Sequence, residues 1–267
     1  MKEKFFEHNI GIEEYITGNR FIDICEESGA TFCKTDYLPV FNGTYQKVFL
    51  SHNSDYHIDY QRYHVGPNHG CWFAQNKDLE KENLHSVPIG LENMKLRTGA
   101  KAKYGKWSSE INGARQKALL IDKLNQLCFQ KTGEVYMNFN INTYPTERQF
   151  VWDKFSNEEW VTATSNLSIE SFYTDLASHK FVISPRGNGV DCHRTWEALY
   201  LKTIPIVKRS THMKDFEDLP IFFVDNWDEV CYINLEAFYN KVKNNLYDLS
   251  KMKITYWRNL INEKLSV

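Results

Sequence analysis

The sequence predicts an α/β protein with doubly wound parallel sheets, and three observations lead to this fold class. Short, uninterrupted apolar segments recur along the chain, as is typical of strands buried in parallel sheets. Segments with helical periodicity alternate with them in the second half, which indicates a doubly wound domain. Polar residues follow the predicted strand ends, where ligands bind in such sheets.

Strand and helix signals alternate most clearly in the second half of the chain. The predicted elements, in order, are the strand GEVYMNFNI over residues 133–141, the helix SIESFYTDLASH, the strand KFVIS, the helix DCHRTWEALYLK, and the strands IPIV and LPIFFVD. Ser168 is predicted to cap the first of these helices, and Glu170 lies in its first turn.

The first half is less regular, and three predicted strands run out into polar loops there. They lie in QKVFLSHNSDY, CWFAQN and HSVPIGLEN, which indicates a second α/β unit. A polar, basic linker follows, and then a helix in which Ala114, Ala118, Ile121 and either Leu124 or Leu127 form an apolar stripe. We therefore expect one domain over residues 1–110, a second over 111–245, and a C-terminal amphipathic helix within 246–267 that could pack back on the first domain.

Composition limits the functional classes. A formal net charge of −2 disfavours sequence-independent binding of nucleic acid, which needs a cationic excess. No apolar run approaches the roughly 18 residues that predict a transmembrane helix, and the first residues lack the apolar centre of a signal peptide. Six scattered cysteines without a C-x-x-C pair indicate reduced thiols. A cytoplasmic location is expected.

The segment HKFVISPRGNGVDCHRTWEALYLKTIPIV, residues 179–207, is the strongest candidate for a binding site. Gly187 and Gly189 allow close backbone approach where the strand turns into the helix, whose N-terminal N–H groups favour anions. Arg186 and Arg194 add bidentate phosphate donors, and Glu197 could accept hydrogen bonds from ribose. The segment is neither a Walker A motif nor a complete dinucleotide fingerprint. A glycine turn with surface arginines is the alternative.

A second cluster of polar residues lies in SHNSDYHIDYQRYHVGPNHG. Asp55, at a predicted strand end, could act as a general base, and His52 or His69 could do so instead. The same window could supply metal ligands, although its spacing matches no compact metal motif. Solvated loop residues, with one or two histidines satisfied structurally, are the alternative for each of them.

Further polar residues follow neighbouring strands and could contact substrate hydroxyls or phosphate. The substrate-binding candidates are Asn53, Asn76, Glu92, Asn93, Asn138 and Asn140. Arg148, in NFNINTYPTER, could contact phosphate or could pair with a nearby carboxylate. For the asparagines, a structural role in turns is the alternative.

These segments together resemble the exostosin-like glycosyltransferases, of the glycosyltransferase family 47 type. The stretch FVISPRGNGVDCHRTWEALYLKTIPIV is similar to the nucleotide-sugar-binding segment of that family. The segments SHNSD, WFAQN, PIGLEN and NFNINTYPTER resemble the accompanying blocks in small enzymes of microbes and large algal viruses. The resemblance does not extend to the first 45 residues or the C-terminal helix. From this sequence we expect no membrane anchor of the kind typical of the animal exostosins, so their substrate is not carried over.

The resemblance implies a GT-B fold, in which two Rossmann-like doubly wound domains face a central cleft and the second domain holds the donor. It implies inverting, metal-independent transfer from a nucleotide sugar, which we expect to be a UDP-sugar, with UDP-xylose as one candidate. It implies no permanently bound cofactor, and a glycan or glycoprotein acceptor on the first domain. For donor binding, the resemblance implies Arg186, Gly187, Asn188, Gly189, Asp191, His193, Arg194 and Glu197. We expect Arg148 and Ser184 to contribute as well.

Two alternatives from other classes stay open at this point. One is a metal-dependent hydrolase that uses the cluster between His52 and His69. The other is a protein that binds a nucleotide or glycan without catalysis. The base, in the transferase interpretation, should come from the first domain, where Asp55 lies.

Overall fold

The computed structural model describes residues 10–92, 113–127 and 129–267, and it is an α/β structure with two parallel sheets. The first sheet has four strands in the order β1-β2-β3-β4, and the second has five in the order β6-β5-β7-β8-β9. The strands are β1 (Thr31–Lys34), β2 (Tyr45–His52), β3 (Asn68–Ala74), β4 (Leu84–Ser86), β5 (Gly133–Met137), β6 (Val161–Ala163), β7 (His179–Ile183), β8 (Ile204–Lys208) and β9 (Phe222–Val224).

Eight α-helices of the described residues connect or cover these strands. They are α1 (Gly18–Ser28), α2 (Tyr60–His64), α3 (Gly113–Gln126), α4 (Pro145–Phe155), α5 (Ile169–Ser178), α6 (His193–Tyr200), α7 (Tyr232–Val242) and α8 (Ile254–Ser266). The strand pairs β5–β6, β5–β7, β7–β8 and β8–β9 are all parallel. The prediction of parallel α/β sheets is therefore confirmed.

The position of β5 creates a crevice in the second sheet. β5 and β7 are neighbours in this sheet, but the connection after β5 leads to β6 on one side, whereas the connection after β7 leads to β8 on the other side. Loops diverge at such a reversal of strand order, and the space between them is where doubly wound sheets bind ligands. The loops in question follow Met137 and Ile183.

Several predicted elements are confirmed, and their ends are corrected. Ser168 caps α5, because its side-chain oxygen accepts a hydrogen bond from the Ser171 N–H. The strand predicted over 133–141 ends at Met137, because the chain turns into a short 3₁₀ helix over Ile141–Thr143. The predicted linker, the boundary near residue 110 and Asn93 lie outside the described residues.

The helix after the linker shows which residues form its buried stripe. Ala114, Ala118, Ile121 and Leu124 of α3 are buried, whereas Leu127 is 61% exposed. The alternative left open by the sequence is thus settled in favour of Leu124. The C-terminal helix begins at Ile254 and packs against α1 and β2 of the first sheet, with Trp257 edge-on to Phe21.

The two sheets share a hydrophobic core rather than standing apart. One buried cluster includes Leu50 and Phe73 from the first sheet together with Val182 and Trp196 from the second half. Tyr200 adds a buried polar connection: its hydroxyl accepts a hydrogen bond from the Ile16 N–H and donates one to the Met252 carbonyl. In the part of the chain that the structure describes, no helix has the length and apolarity required to cross a bilayer.

Loops at the carboxyl ends of both sheets meet and bond to each other. Asp191, after β7, accepts a hydrogen bond at 2.7 Å from the Ile89 N–H of the loop after β4. Its own N–H donates to Asn76 Oδ1 at 3.0 Å. His212, after β8, accepts from the Lys77 N–H at 3.3 Å. These contacts hold the carboxyl edges of the two sheets face to face.

Candidate functional site

A cavity of about 930 Å³ opens where the carboxyl edges of the two sheets meet. It lies at the crevice beside β5 and β7, and this size is in the range of small-molecule sites. Eleven of the residues predicted for the site line it: Asp55, Asn138, Asn140, Arg148, Gly187, Asn188, Gly189, Asp191, His193, Arg194 and Glu197. The backbone at Gly189 passes so close to Asn76 that a Cβ would lie 2.6 Å from its Nδ2.

Two buried arginines form the cationic wall of this cavity. Arg148, on α4, donates from Nε to the Arg186 carbonyl at 2.7 Å and from Nη1 to the Asn140 carbonyl at 2.8 Å. Arg194, on α6, donates from Nε to the Asn138 carbonyl at 3.0 Å. Both guanidinium groups also lie against the ring of Phe139, at 5.5 and 5.4 Å from its centroid. Backbone carbonyls and one aromatic ring thus fix both cations.

Neither guanidinium pairs with a carboxylate from the part of the chain that the structure describes. Among the described residues, no carboxylate oxygen lies within 4.0 Å of Arg148 or Arg194, and the groups that accept their hydrogen bonds are neutral. Burial, reinforced by the charge of Arg148, lowers the pKa of Arg194 to about 10, so the group still carries its charge at pH 7. Burying unpaired cations costs several kcal/mol, so their pairing with a bound anion would recover this cost.

Glu197 is the principal buried carboxylate of the cavity wall. Its Oε1 accepts hydrogen bonds from Lys117 Nζ at 2.6 Å and from the Tyr173 hydroxyl at 2.9 Å. Burial alone would raise the pKa of Glu197, but the charge and hydrogen bond of Lys117 outweigh it and the pKa is lowered. Oε2 accepts no hydrogen bond from the described residues. An ionised acceptor is therefore available to a ligand hydroxyl.

Asp55 is a lining residue that comes from the first sheet rather than from the second. It lies in the loop after β2, is exposed, and accepts a hydrogen bond at 3.2 Å from Asn188 Nδ2 in the glycine loop. Of the described residues up to 92, it is the carboxylate that lines the cavity. Asp55 therefore lies beside the glycine loop in the cavity lining.

Arg186 does not line the cavity, contrary to the expectation that it holds the diphosphate. Its Nη2 donates to His57 Nε2 at 2.8 Å, and its guanidinium stacks on the Tyr144 ring at 4.5 Å. Only its carbonyl serves the site, by accepting from Arg148. Arg148 and Arg194 therefore form the cationic wall, whereas Arg186 contacts the loop after β2 at the edge of the cavity.

The two alternative bases are in unsuitable places. His52 is fully buried, its Nε2–H donates to the Pro88 carbonyl at 3.0 Å, and burial lowers its pKa. His69 is at the start of β3, the opposite edge of the sheet, where its ring contacts Tyr63 and the Pro67 carbonyl. The histidine cluster suggested by the sequence is thus not assembled. Within residues 10–92, 113–127 and 129–267, no group of three or more His, Cys, Asp and Glu side chains is placed to share a metal ion.

Five other predicted site residues have structural partners. Four of them do not line the cavity, and the fifth, Asp191, lines it but has its oxygens engaged in hydrogen bonds. Asn53 bonds to Gln75 through its backbone N–H, and the fully buried Asn76 joins Ser54 to Asp191. Ser184 lies behind the cavity against Thr195. The Asp191 oxygens accept from the N–H groups of Ile89, Cys192 and Trp196 and contact His212. Glu92 is buried behind His193, with 4.0 Å between Oε1 and Nε2.

Sequence reasoning missed three residues that shape the site. They are Lys117, Tyr173 and Phe139, of which Lys117 and Phe139 line the cavity. Lys117 gave a usable signal, because it lies three residues after Ala114 and four before Ile121, on the apolar stripe of α3. A lysine on a buried stripe requires a partner, and that partner is Glu197.

Comparison with known proteins gives no further identification: no protein-family model matches the chain, and no curated protein has a matching sequence.

Proposed function

We infer that the chain is a glycosyltransferase that binds a nucleotide sugar in this cavity and transfers the sugar to a hydroxyl acceptor. The observation that carries the inference is the pair of buried guanidinium groups, Arg148 and Arg194, which face a cavity without a carboxylate partner among the described residues. A diphosphate supplies the missing negative charge, and arginine matches its oxygens bidentately.

The remainder of the cavity suits the other parts of a nucleotide sugar. The second oxygen of Glu197 is available to accept from a ribose hydroxyl, as the sequence led us to expect. The N-terminus of α6 lies in the cavity wall and favours anions there. Opposed carboxyl edges of two parallel sheets support a GT-B arrangement, with the donor on the second sheet and the acceptor on the first.

In the transfer step, the acceptor oxygen forms a bond to the anomeric carbon while the bond from that carbon to the phosphate oxygen breaks. The electron pair of the broken bond stays on the nucleoside diphosphate, whose charge Arg148 and Arg194 stabilise. The proton of the acceptor hydroxyl passes to the Asp55 carboxylate, which lines the cavity. Attack from the face opposite the phosphate inverts the anomeric configuration.

Thermal unfolding with a panel of ligands tests this function. We expect UDP, GDP or one of their sugar derivatives, at millimolar concentration, to raise Tm by several degrees because the ligand binds only the native state. A UDP-sugar is the favoured donor. The same panel with a chelator tests metal dependence, for which the transferase proposal expects little change. Failure of every nucleotide to stabilise the chain would refute the proposal. Stabilisation by UDP without sugar transfer to a varied set of glycan acceptors would instead indicate a binding protein.

A further inference from the structure

His193 lines the cavity at the first position of α6, and one of its ring nitrogens has a fixed role. Nδ1 lies 2.7 Å from the Gly90 carbonyl, which can only accept, so Nδ1 carries a proton. Gly90 adopts a left-handed conformation, with φ of 69°, and a Cβ there would lie 2.2 Å from the Ile16 carbonyl. Only glycine fits this turn, which presents the carbonyl to the imidazole.

The other nitrogen, Nε2, has no hydrogen-bond partner among the described residues. The His193 side chain keeps 24% of its surface accessible, and Glu92 Oε1 lies 4.0 Å from Nε2. A neutral ring therefore offers a lone pair at Nε2, and a protonated ring offers a second N–H donor. Which form is present depends on the charges around it.

Those charges come from several elements. The titratable and charged groups around His193 are His52 at the end of β2, Glu92 after β4, Lys117 on α3, Asp191 before α6, and Arg194 and Glu197 on α6. Asp191 is engaged with N–H groups, and Lys117 is bonded to Glu197. An anion bound near Nε2 would add negative charge to this set and favour the imidazolium.

We propose that His193 is a titrating anion contact, so that a nucleoside diphosphate binds in this cavity together with a proton. In the bound state the Nδ1–H donates to the Gly90 carbonyl, and Nε2, which has gained a proton, donates to a phosphate oxygen, while no bond of the nucleotide forms or breaks. The proton comes from solvent and returns to it on release. The proposal rests on the proposed function, because it needs a phosphate at this wall, and it adds that acidic pH favours donor binding and alkaline pH favours release.

Calorimetric titration with UDP in two buffers of different ionisation enthalpy measures the protons taken up. Near pH 7.5 we expect wild-type protein to take up a net fraction of a proton per UDP, at most about one, because the bound phosphate favours the protonated ring. His193→Gln should take up clearly less and bind UDP about tenfold more weakly at pH 6, with the difference shrinking by pH 8.5.

Two controls isolate the imidazole. His64→Gln removes an exposed histidine of α2 outside the cavity lining and should leave the proton uptake unchanged. Variants have to be compared because the terminal phosphate of UDP also titrates, at about pH 6. Its contribution to proton uptake is common to all variants. Uridine, which lacks phosphate, should bind wild-type protein without proton uptake.

The outcomes separate this inference from the proposed function. If UDP binds but wild-type protein and His193→Gln take up the same number of protons, the titrating role is refuted and the nucleotide site stands. If UDP does not bind at any pH, the proposed function fails and this inference fails with it. Should His193→Gln not fold, equal proton uptake by wild-type protein with UDP and with uridine is the result that overturns the proposal.

Discussion

The side chains of Lys117 and Glu197 form a buried ion pair with 2.6 Å between Nζ and Oε1, although 80 positions separate them in the chain. Lys117 also donates to the Leu91 carbonyl at 3.0 Å, so one ammonium group joins α3, α6 and the loop after β4. The pair places an ionised carboxylate in the cavity wall. It connects the stability of the fold to the chemistry of the candidate site.

Replacement of Lys117 by methionine should destabilise the protein by about 3–5 kcal/mol, because Glu197 would be left as an uncompensated buried charge. Urea denaturation of Lys117→Met, Glu197→Gln and the double variant measures the free energy of unfolding. We expect the double variant to lose much less than the sum of the single losses. Additive losses would show that the two side chains do not stabilise each other.

The same pair predicts how stability depends on pH. The pKa of Glu197 is lowered in the folded protein from an ordinary value of 4.5, so its ionised form stabilises the fold above that value. This contribution is lost as pH falls through the depressed folded pKa. The difference in unfolding free energy between wild-type protein and Glu197→Gln should therefore be constant near neutral pH and shrink below about pH 4.5. A difference that grows on acidification would contradict this assignment.

Loss of either cavity arginine should weaken binding of phosphate-bearing ligands selectively. Arg148→Gln and Arg194→Gln are each expected to raise the Kd for UDP about 10- to 100-fold, because hydrogen bonds to charged groups contribute about 1.5–3 kcal/mol. Binding of uridine should change little. Arg258→Ala, which removes an exposed cation of α8 that pairs with Glu27, serves as the control. Equal losses for UDP and uridine would place the phosphates elsewhere.

Asp55→Asn should separate binding from chemistry. The amide keeps the shape of the side chain but accepts protons poorly, so we expect UDP affinity within about twofold of wild type and a transfer rate lower by about 10²–10⁴-fold. Asp78→Asn is the matched control, since Asp78 lies beside His57, which contacts Asn188 of the glycine loop, and Asp78 does not line the cavity. If Asp55→Asn retains full transfer, another group accepts the proton, and His193 is then the first to examine.

Local signals in the sequence were sufficient for much of the second sheet. β7, α6 and β8 follow directly from an apolar strand, a helical stripe and a second apolar strand, and Ser168 marks the start of α5 because capping is a local interaction. The end of β5 was placed four residues too late, since NFNI continues the apolar alternation. A cap formed by Asn140, whose side chain accepts from the Asn142 N–H, turns the chain instead.

The direction of long side chains could not be predicted in the same way. Arg186 is next to the glycines and looks like the phosphate ligand, but its guanidinium is drawn out of the cavity by His57, which is 129 positions away. His69 lies close to Asp55 in sequence but at the opposite edge of the sheet. It is at the start of β3, so most of that strand separates it from the carboxyl edge where Asp55 lies. Both errors arise from contacts that only the folded chain creates.

The packing of α8 against the first sheet affects when this part of the molecule can finish folding during synthesis. Trp257 packs edge-on against Phe21, and Tyr200 bonds to residues near both ends of the described chain. The apolar surface of α1 and β2 therefore stays uncovered until residues 254–266 have emerged from the ribosome. The first sheet is therefore covered only when α8 is present, and a chain interrupted before α8 would expose an apolar surface to chaperones and proteases.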